Sequence, residues 1–198
     1  MLATNSVQEF LDAVASNSPA PGGGSVSALA AALGSALTSM VCQLTIGKKK
    51  YEDVMEEMTD YLGESESFRA KLTDLIDQDT EAFNGVMKAF GMPKDTEGQK
   101  AARSAAIQQA TRESTLVPLE VMRICERALV LARAAAQQGN VNSISDAGVA
   151  SHILHAACSG AALNVKINLA TLQDDRFVKE TKEELNRILA NAEKHWKD

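Results

Sequence analysis

The residues best placed to do chemistry are two aspartates and two loops rich in small polar residues. Asp79 stands on an apolar helical seam, four residues after Leu75 and four before Phe83. A carboxylate there is costly unless it is paired or used. It can be a general base, or a clamp for a cationic or amidine-like group, with its pKa tuned by burial. It can equally be a structural partner for a buried Arg or for backbone N–H groups. Asp146 opens a nearly uncharged helix in Ser145-Asp146-Ala147-Gly148. Asp is an ordinary first-turn choice, but Asn140, Asn142, Ser143 and Ser145 crowd donors and acceptors around it, a mixture able to hydrogen-bond a heterocycle.

A second glycine-rich start is Pro19-Ala20-Pro21-Gly22-Gly23-Gly24-Ser25. Helix starts leave N–H groups unpaired and carry partial positive charge. Glycine lets a ligand approach that backbone, so the loop suits an anion or a polar ring. The bland alternative is a flexible lead-in with Ser25 as the cap. It is not a P-loop, for the Lys-Ser/Thr pair is missing. Lys48 and Lys49, with Lys50, form the chain's basic cluster and can hold carboxylates or simply end a helix. Asn164 and Asn168 share a helix face and serve either as interhelical hydrogen-bonders or as ligand contacts. His152 and His155 lack a further ligand at metal spacing, so no metal is expected.

The elements that must carry these groups are all helical. Ser6 and Glu9 form a capping box before an amphipathic helix over 7–15. An uncharged helix follows from Ser25 to Ile46, ended by Gly47. The next helix, from Glu52 to Phe90, is the longest seam: Val54, Met58, Tyr61, Ser65, Phe68, Leu72, Leu75, Asp79, Phe83, Val86 and Phe90 recur every three or four residues. Another runs from Thr96 to Gln138, with a break or kink expected at Pro118. The second neutral helix spans 145–172. The last opens at Asp174-Asp175. No alternating β-branched run appears. The expected fold is all-α, an antiparallel bundle of six to seven helices with one long helix, forming a single domain over 1–198.

Composition bounds the rest. The chain has 198 residues, 45% of them hydrophobic, enough for one generous core. A net charge of −6 disfavours nucleic acid. Cys42, Cys125 and Cys158 are dispersed, so reduced buried thiols in a cytoplasmic protein are expected. The N-terminus lacks a signal-peptide pattern. The uncharged stretch to Gly47 holds too many Ser, Thr and Ala residues to favour lipid, so no membrane partner is expected.

Five motifs in order then carry a resemblance over essentially the whole chain. They are Pro19 to Ala28, Thr45-Ile46-Gly47-Lys48-Lys49-Lys50-Tyr51, Asp79 with Ala82-Phe83, Asn140 to Ala150, and Gly160 to Leu169. Together they resemble the formiminotransferase-cyclodeaminase C-terminal domain family, whose free-standing members include methenyltetrahydrofolate cyclohydrolases. The resemblance implies an all-helical homodimer acting on a tetrahydrofolate derivative with one or more glutamates, needing no cofactor beyond that substrate. One family reaction closes 5-formiminotetrahydrofolate to 5,10-methenyltetrahydrofolate and releases ammonia. The other opens the methenyl ring with water to 10-formyltetrahydrofolate. No room for a transferase domain is expected, which favours the cyclohydrolase, with the cyclodeaminase as alternative. On this reading Asp79 and Asp146 are catalytic and share one pocket. Pro21, Gly22, Gly23, Gly24, Ser25, Asn140, Asn142, Ser145 and Asn164 contact substrate, and Lys48 and Lys49 take the glutamate carboxylates. The reading from another class is a non-catalytic helical module that self-associates through the long seam.

Overall fold

A computed structural model describes residues 1–197. Six α-helices make up the chain: α1 (Val7–Val14), α2 (Gly23–Thr45), α3 (Met55–Phe90), α4 (Glu97–Gln138), α5 (Ile144–Leu169) and α6 (Asp175–Lys197). Among the described residues there is no strand. Short 3-10 turns at Leu2–Thr4, Lys49–Val54 and Val141–Ser143 join them.

The starts follow local chemistry. Ser6 and Glu9 close a reciprocal capping box on α1, and Thr96 and Gln99 do the same for α4. Gly47 takes a φ of 80° just past α2, a conformation only glycine adopts cheaply. Two boundaries depart from the sequence reading. Helix α2 begins at Gly23, so Ser25 lies inside the first turn and caps nothing. The long helix begins at Met55 rather than Glu52, because Tyr51 breaks helical geometry in the preceding turn.

Of the break or kink expected at Pro118, the break does not occur, for Pro118 neither ends nor divides α4. A proline removes one N–H and strands the carbonyl four residues earlier. Here that carbonyl, on Ser114, accepts a 3.2 Å hydrogen bond from Asn168 Nδ2 of α5. Asn168 is thus an interhelical hydrogen-bonder that satisfies the group the proline orphans.

Helices α2 and α5 lie side by side and antiparallel. Gly23 faces Asn164, Gly160 faces Ser27, and Gly34 faces Leu154 and the Ala150 carbonyl. A Cβ on Gly34 would sit 2.6 Å from Leu154 Cγ, so the small residues are what allow this approach. Below them α3 and α4 form the second layer, and α6 packs on α4 and α5. The core gathers Ala28, Ala31, Leu72, Met122, Leu129, Leu154 and Val165. By length and composition α2 could cross a membrane, yet it is mostly packed within the bundle.

From Met58 to Leu75 the long seam does not stand free for self-association, although its last residue, Phe90, is 49% exposed. Met58, Ser65, Phe68, Leu72 and Leu75 are buried within the chain's own bundle. The bare apolar surface lies instead on the outer side of α2 and α5. Leu33 is 53% exposed, Leu163 66% and Ile167 69%.

Candidate active site

The site begins with a missing side chain. Helix α2 has no capping side chain, and its N-cap is Gly22. Its first-turn N–H groups therefore depend on partners from other elements. Asp79, from α3, is wedged against that turn: a Cβ on Gly24 would lie 2.0 Å from Asp79 Oδ1. Glycine is required there by close approach, not by φ.

Ser25 completes the contact. Its Oγ lies 2.9 Å from the Ile76 carbonyl oxygen, 3.0 Å from Asp79 Oδ2 and 3.1 Å from Thr80 Oγ1. Burial pushes the Asp79 pKa up, against the opposing pull of the Ser25 hydroxyl and backbone. Among the described residues no cation pairs with Asp79. The buried-Arg alternative is therefore absent, whereas the other structural role, a partner for backbone N–H groups, is met in part by the Ser25 backbone; the carboxyl is still placed where it can exchange a proton. Thr80 was not singled out in the sequence. Its position one residue after the seam aspartate was the signal.

Asn164 stands across from this turn, its Nδ2 donating to the Gly160 carbonyl at 3.0 Å while its amide lies beside Gly23. Pro21 is buried just before the turn. Gly22, Gly23, Gly24, Ser25, Asp79 and Asn164 thus form one cluster.

The other predicted residues form a second cluster, at the far end of α2. Asn140 is 5% exposed and its polar groups are taken by the fold. Its N–H donates to Thr45 Oγ1 at 2.8 Å, its Nδ2 to the Leu44 carbonyl at 3.0 Å, and its Oδ1 accepts from the Asn142 N–H at 3.1 Å. Asn140 is a clamp between the end of α2 and the start of α5, not the free heterocycle contact expected. The Tyr51 hydroxyl accepts from the Val141 N–H at 3.0 Å and ties the lysine turn to the same place. Lys48, Lys49, Asn142 and Ser145 are exposed around it. Asp146 is half-buried in the first turn of α5.

Among the described residues of one chain, Asp79 and Asp146 do not come together in one pocket. Asp79 abuts Gly24, whereas Ala147, next to Asp146, packs with Val41 and Cys42. Eighteen residues of α2 separate these points, about 27 Å at 1.5 Å per residue. A cavity of about 570 Å³ between α1, α2 and α3 and another of about 300 Å³ between α4, α5 and α6 are lined by neither aspartate. The cause is topological: an antiparallel pair puts the two helix starts at opposite ends.

Other chemistry is quiet. Trp196 Nε1 donates to His152 Nδ1 at 3.1 Å, and the Trp196 ring stacks on His155 at 4.4 Å. Among the described residues no group of three His, Cys, Asp or Glu could hold a metal. Burial pushes the Cys42 thiol up to about 11 and Cys158 up to about 12, so both stay protonated and unreactive.

Comparison with known proteins agrees with this arrangement of helices. The family model described as formiminotransferase-cyclodeaminase matches residues 6–187. A methenyltetrahydrofolate cyclohydrolase from Methylorubrum extorquens is 47% identical over 97% of this chain and 92% of its own length. A formimidoyltransferase-cyclodeaminase from Rattus norvegicus is 35% identical over 94% of this chain, which spans only 35% of that longer protein. The crystal structure of formiminotetrahydrofolate cyclodeaminase from Thermotoga maritima superposes with a TM-score of 0.90 at 36% identity, covering 100% of this chain and 94% of that one. A family-model match over nearly the whole chain, joined to this helical arrangement, settles the kinship: the chain belongs to the formiminotransferase-cyclodeaminase family.

Proposed function

We propose that the protein is a one-carbon folate enzyme, a 5,10-methenyltetrahydrofolate cyclohydrolase that forms 10-formyltetrahydrofolate. The observation that carries it is the half-buried Asp79 carboxyl, set against the first turn of α2 with no cation beside it among the described residues. Water attacks the methenyl carbon between N5 and N10, and Asp79 takes a proton from that water. The tetrahedral carbon then collapses. Its hydroxyl loses a proton, the bond to N5 breaks, N5 gains a proton, and one proton leaves to solvent overall. The methenyl group is cationic, so an aspartate beside it also favours the bound state electrostatically.

The alternative is the cyclodeaminase reaction, in which Asp79 as an acid would protonate departing ammonia. The cyclohydrolase is preferred because the relative so named matches this chain over nearly its full length. One assay separates them. Purified protein is offered each folate while methenyl absorbance is followed. The expected result is loss of that absorbance with 5,10-methenyltetrahydrofolate. Appearance of it from 5-formiminotetrahydrofolate, with ammonia, makes the cyclodeaminase the right reading. Activity on neither sinks both.

The working form is a cytoplasmic homodimer. Its support is the apolar face of α2 and α5, where Val26, Leu33 and Leu44 run beside Val149, Leu163 and Ile167. A face of this kind on a monomer invites association. Light scattering at micromolar concentration should give about twice the 21.1 kDa chain mass. A mass equal to one chain overturns the dimer.

A further inference from the structure

We infer that Ser25 is a positioning residue whose single hydroxyl proton changes acceptor each time Asp79 changes protonation, and that Thr80 holds the Ser25 oxygen while it does so. This deepens the cyclohydrolase reading, on which the activity arm of the test rests. A count of protons carries the inference. Ser25 Oγ has three polar neighbours: the Ile76 carbonyl oxygen at 2.9 Å, Asp79 Oδ2 at 3.0 Å and Thr80 Oγ1 at 3.1 Å. A serine hydroxyl has one proton and two lone pairs. The Ile76 carbonyl can only accept. Between the two hydroxyls either oxygen can be the donor. Ser25 is fully buried, so its partners come from the protein.

Two arrangements satisfy the cluster, one for each state of Asp79. An ionised carboxylate only accepts. Ser25 then donates to Asp79 Oδ2, and Thr80 donates to Ser25. The Ile76 carbonyl keeps its helical N–H partner within α3. When Asp79 is protonated, its O–H donates to Ser25, and Ser25 turns its own proton to Ile76. Thr80 donates to Ser25 in both states, and in the second all three contacts are used at once.

The reaction asks for such a device, because Asp79 changes state twice in each turnover. It takes one proton from the attacking water and returns it to N5 as the bond from N5 to carbon breaks. The second proton of that water leaves the hydroxyl for solvent. Charges contribute little around it. Helix α2 has no charged residue, and α5 sets the neutral Asn164 across the turn. Asp77 accepts from the Leu2 and Ala3 N–H groups, while Glu81 and Lys166 are exposed. On α4, Arg103 donates to the Phe90 carbonyl and Arg112 to Asp174. Burial raises the Asp79 pKa and the Ser25 hydroxyl and backbone lower it, with no charge among the causes.

Asp79 can be titrated directly, by NMR of protein carrying 13C-labelled aspartate carboxyls, its signal assigned by its loss in Asp79→Asn. That measurement needs no substrate. Ser25→Ala takes a donor from the carboxylate but only an acceptor from the acid. Bonds to an ionised acceptor are roughly twice as strong, so the midpoint should rise by about one pH unit. Thr80→Val removes the hydroxyl that polarises Ser25 and should raise it by less. Thr80→Ser keeps that hydroxyl and should titrate as wild type. The acid limb of kcat/KM for 5,10-methenyltetrahydrofolate should move with the midpoint, a roughly tenfold loss of rate on that limb for Ser25→Ala. Hydroxyls that serve only the fold would lower Tm and leave the midpoint in place, which overturns the inference. A midpoint that falls overturns it too, as does a Thr80→Ser chain that titrates like Thr80→Val. Should Ser25→Ala not fold, the two Thr80 variants decide alone. If the midpoints move but wild type turns over neither folate, the folate reading fails and the hydroxyl switch stands. If folate is turned over and the midpoints stay, only the switch falls.

Discussion

Asp79→Asn is expected to lower kcat by roughly two to four orders of magnitude, the range for losing a general acid or base, without unfolding the protein. The fold has no need of the charge. Asparagine keeps an oxygen to accept from Ser25 Oγ, now 3.0 Å from Asp79 Oδ2, and its size fits the space beside Gly24. The charge in fact opposes folding. Burial raises the Asp79 pKa above its ordinary value of 3.8, so the folded chain holds that proton more tightly than the unfolded chain. Well below 3.8 both states are protonated. As pH rises through the folded-state pKa, Asp79 ionises in its buried setting and stability falls. The asparagine variant escapes this loss. Its Tm should match wild type at acidic pH and exceed it near neutrality and above, while its activity is nearly gone. A Tm below wild type at neutral pH means the carboxylate is structural. Undiminished kcat removes Asp79 from the chemistry.

The same residue marks how far the sequence could be read. Its place on the seam was visible because a period of three to four residues needs only the chain itself. The small-residue helices and the glycine stop at Gly47 were legible for that reason too. What the spacing could not contain was the partner of each face. The two glycine- and asparagine-rich helix starts look alike in sequence and so invite assignment to one pocket. Their separation follows from Gly23 meeting Asn164 and Gly34 meeting Leu154, an antiparallel register set by packing over more than a hundred residues of sequence. Ser25 read as a cap because the residue type prefers caps. Asp79 leaves no room for a Cβ at Gly24, and Ser25 bonds across to α3 instead. Pro118 read as a break or kink because its cost is local. The compensation comes from Asn168, fifty residues later.

Gly24→Ala is the second large effect, and it reaches the carboxylate without touching it chemically. The new Cβ would lie 2.0 Å from Asp79 Oδ1 and 2.5 Å from its Cγ, far inside contact distance. Either Asp79 swings away or α2 shifts from α3. The first displaces the reacting oxygen by an ångström or more, and a misplacement of that size costs about a hundredfold in rate. The second loosens packing around Ala28 and Leu72 and costs about 1–3 kcal/mol of stability. A second substitution tells them apart. In Gly24→Ala/Asp79→Ala the clash is gone, so stability should return while activity stays low. Gly63→Ala controls for helix propensity alone, since nothing lies within 4 Å of its added Cβ. It should gain up to about 1 kcal/mol and leave the rate alone. If Gly24→Ala works at wild-type rate, the contact between the helix start and the carboxylate does not position the catalytic group. If the double variant stays unstable, Gly24 is needed by the backbone and not by Asp79.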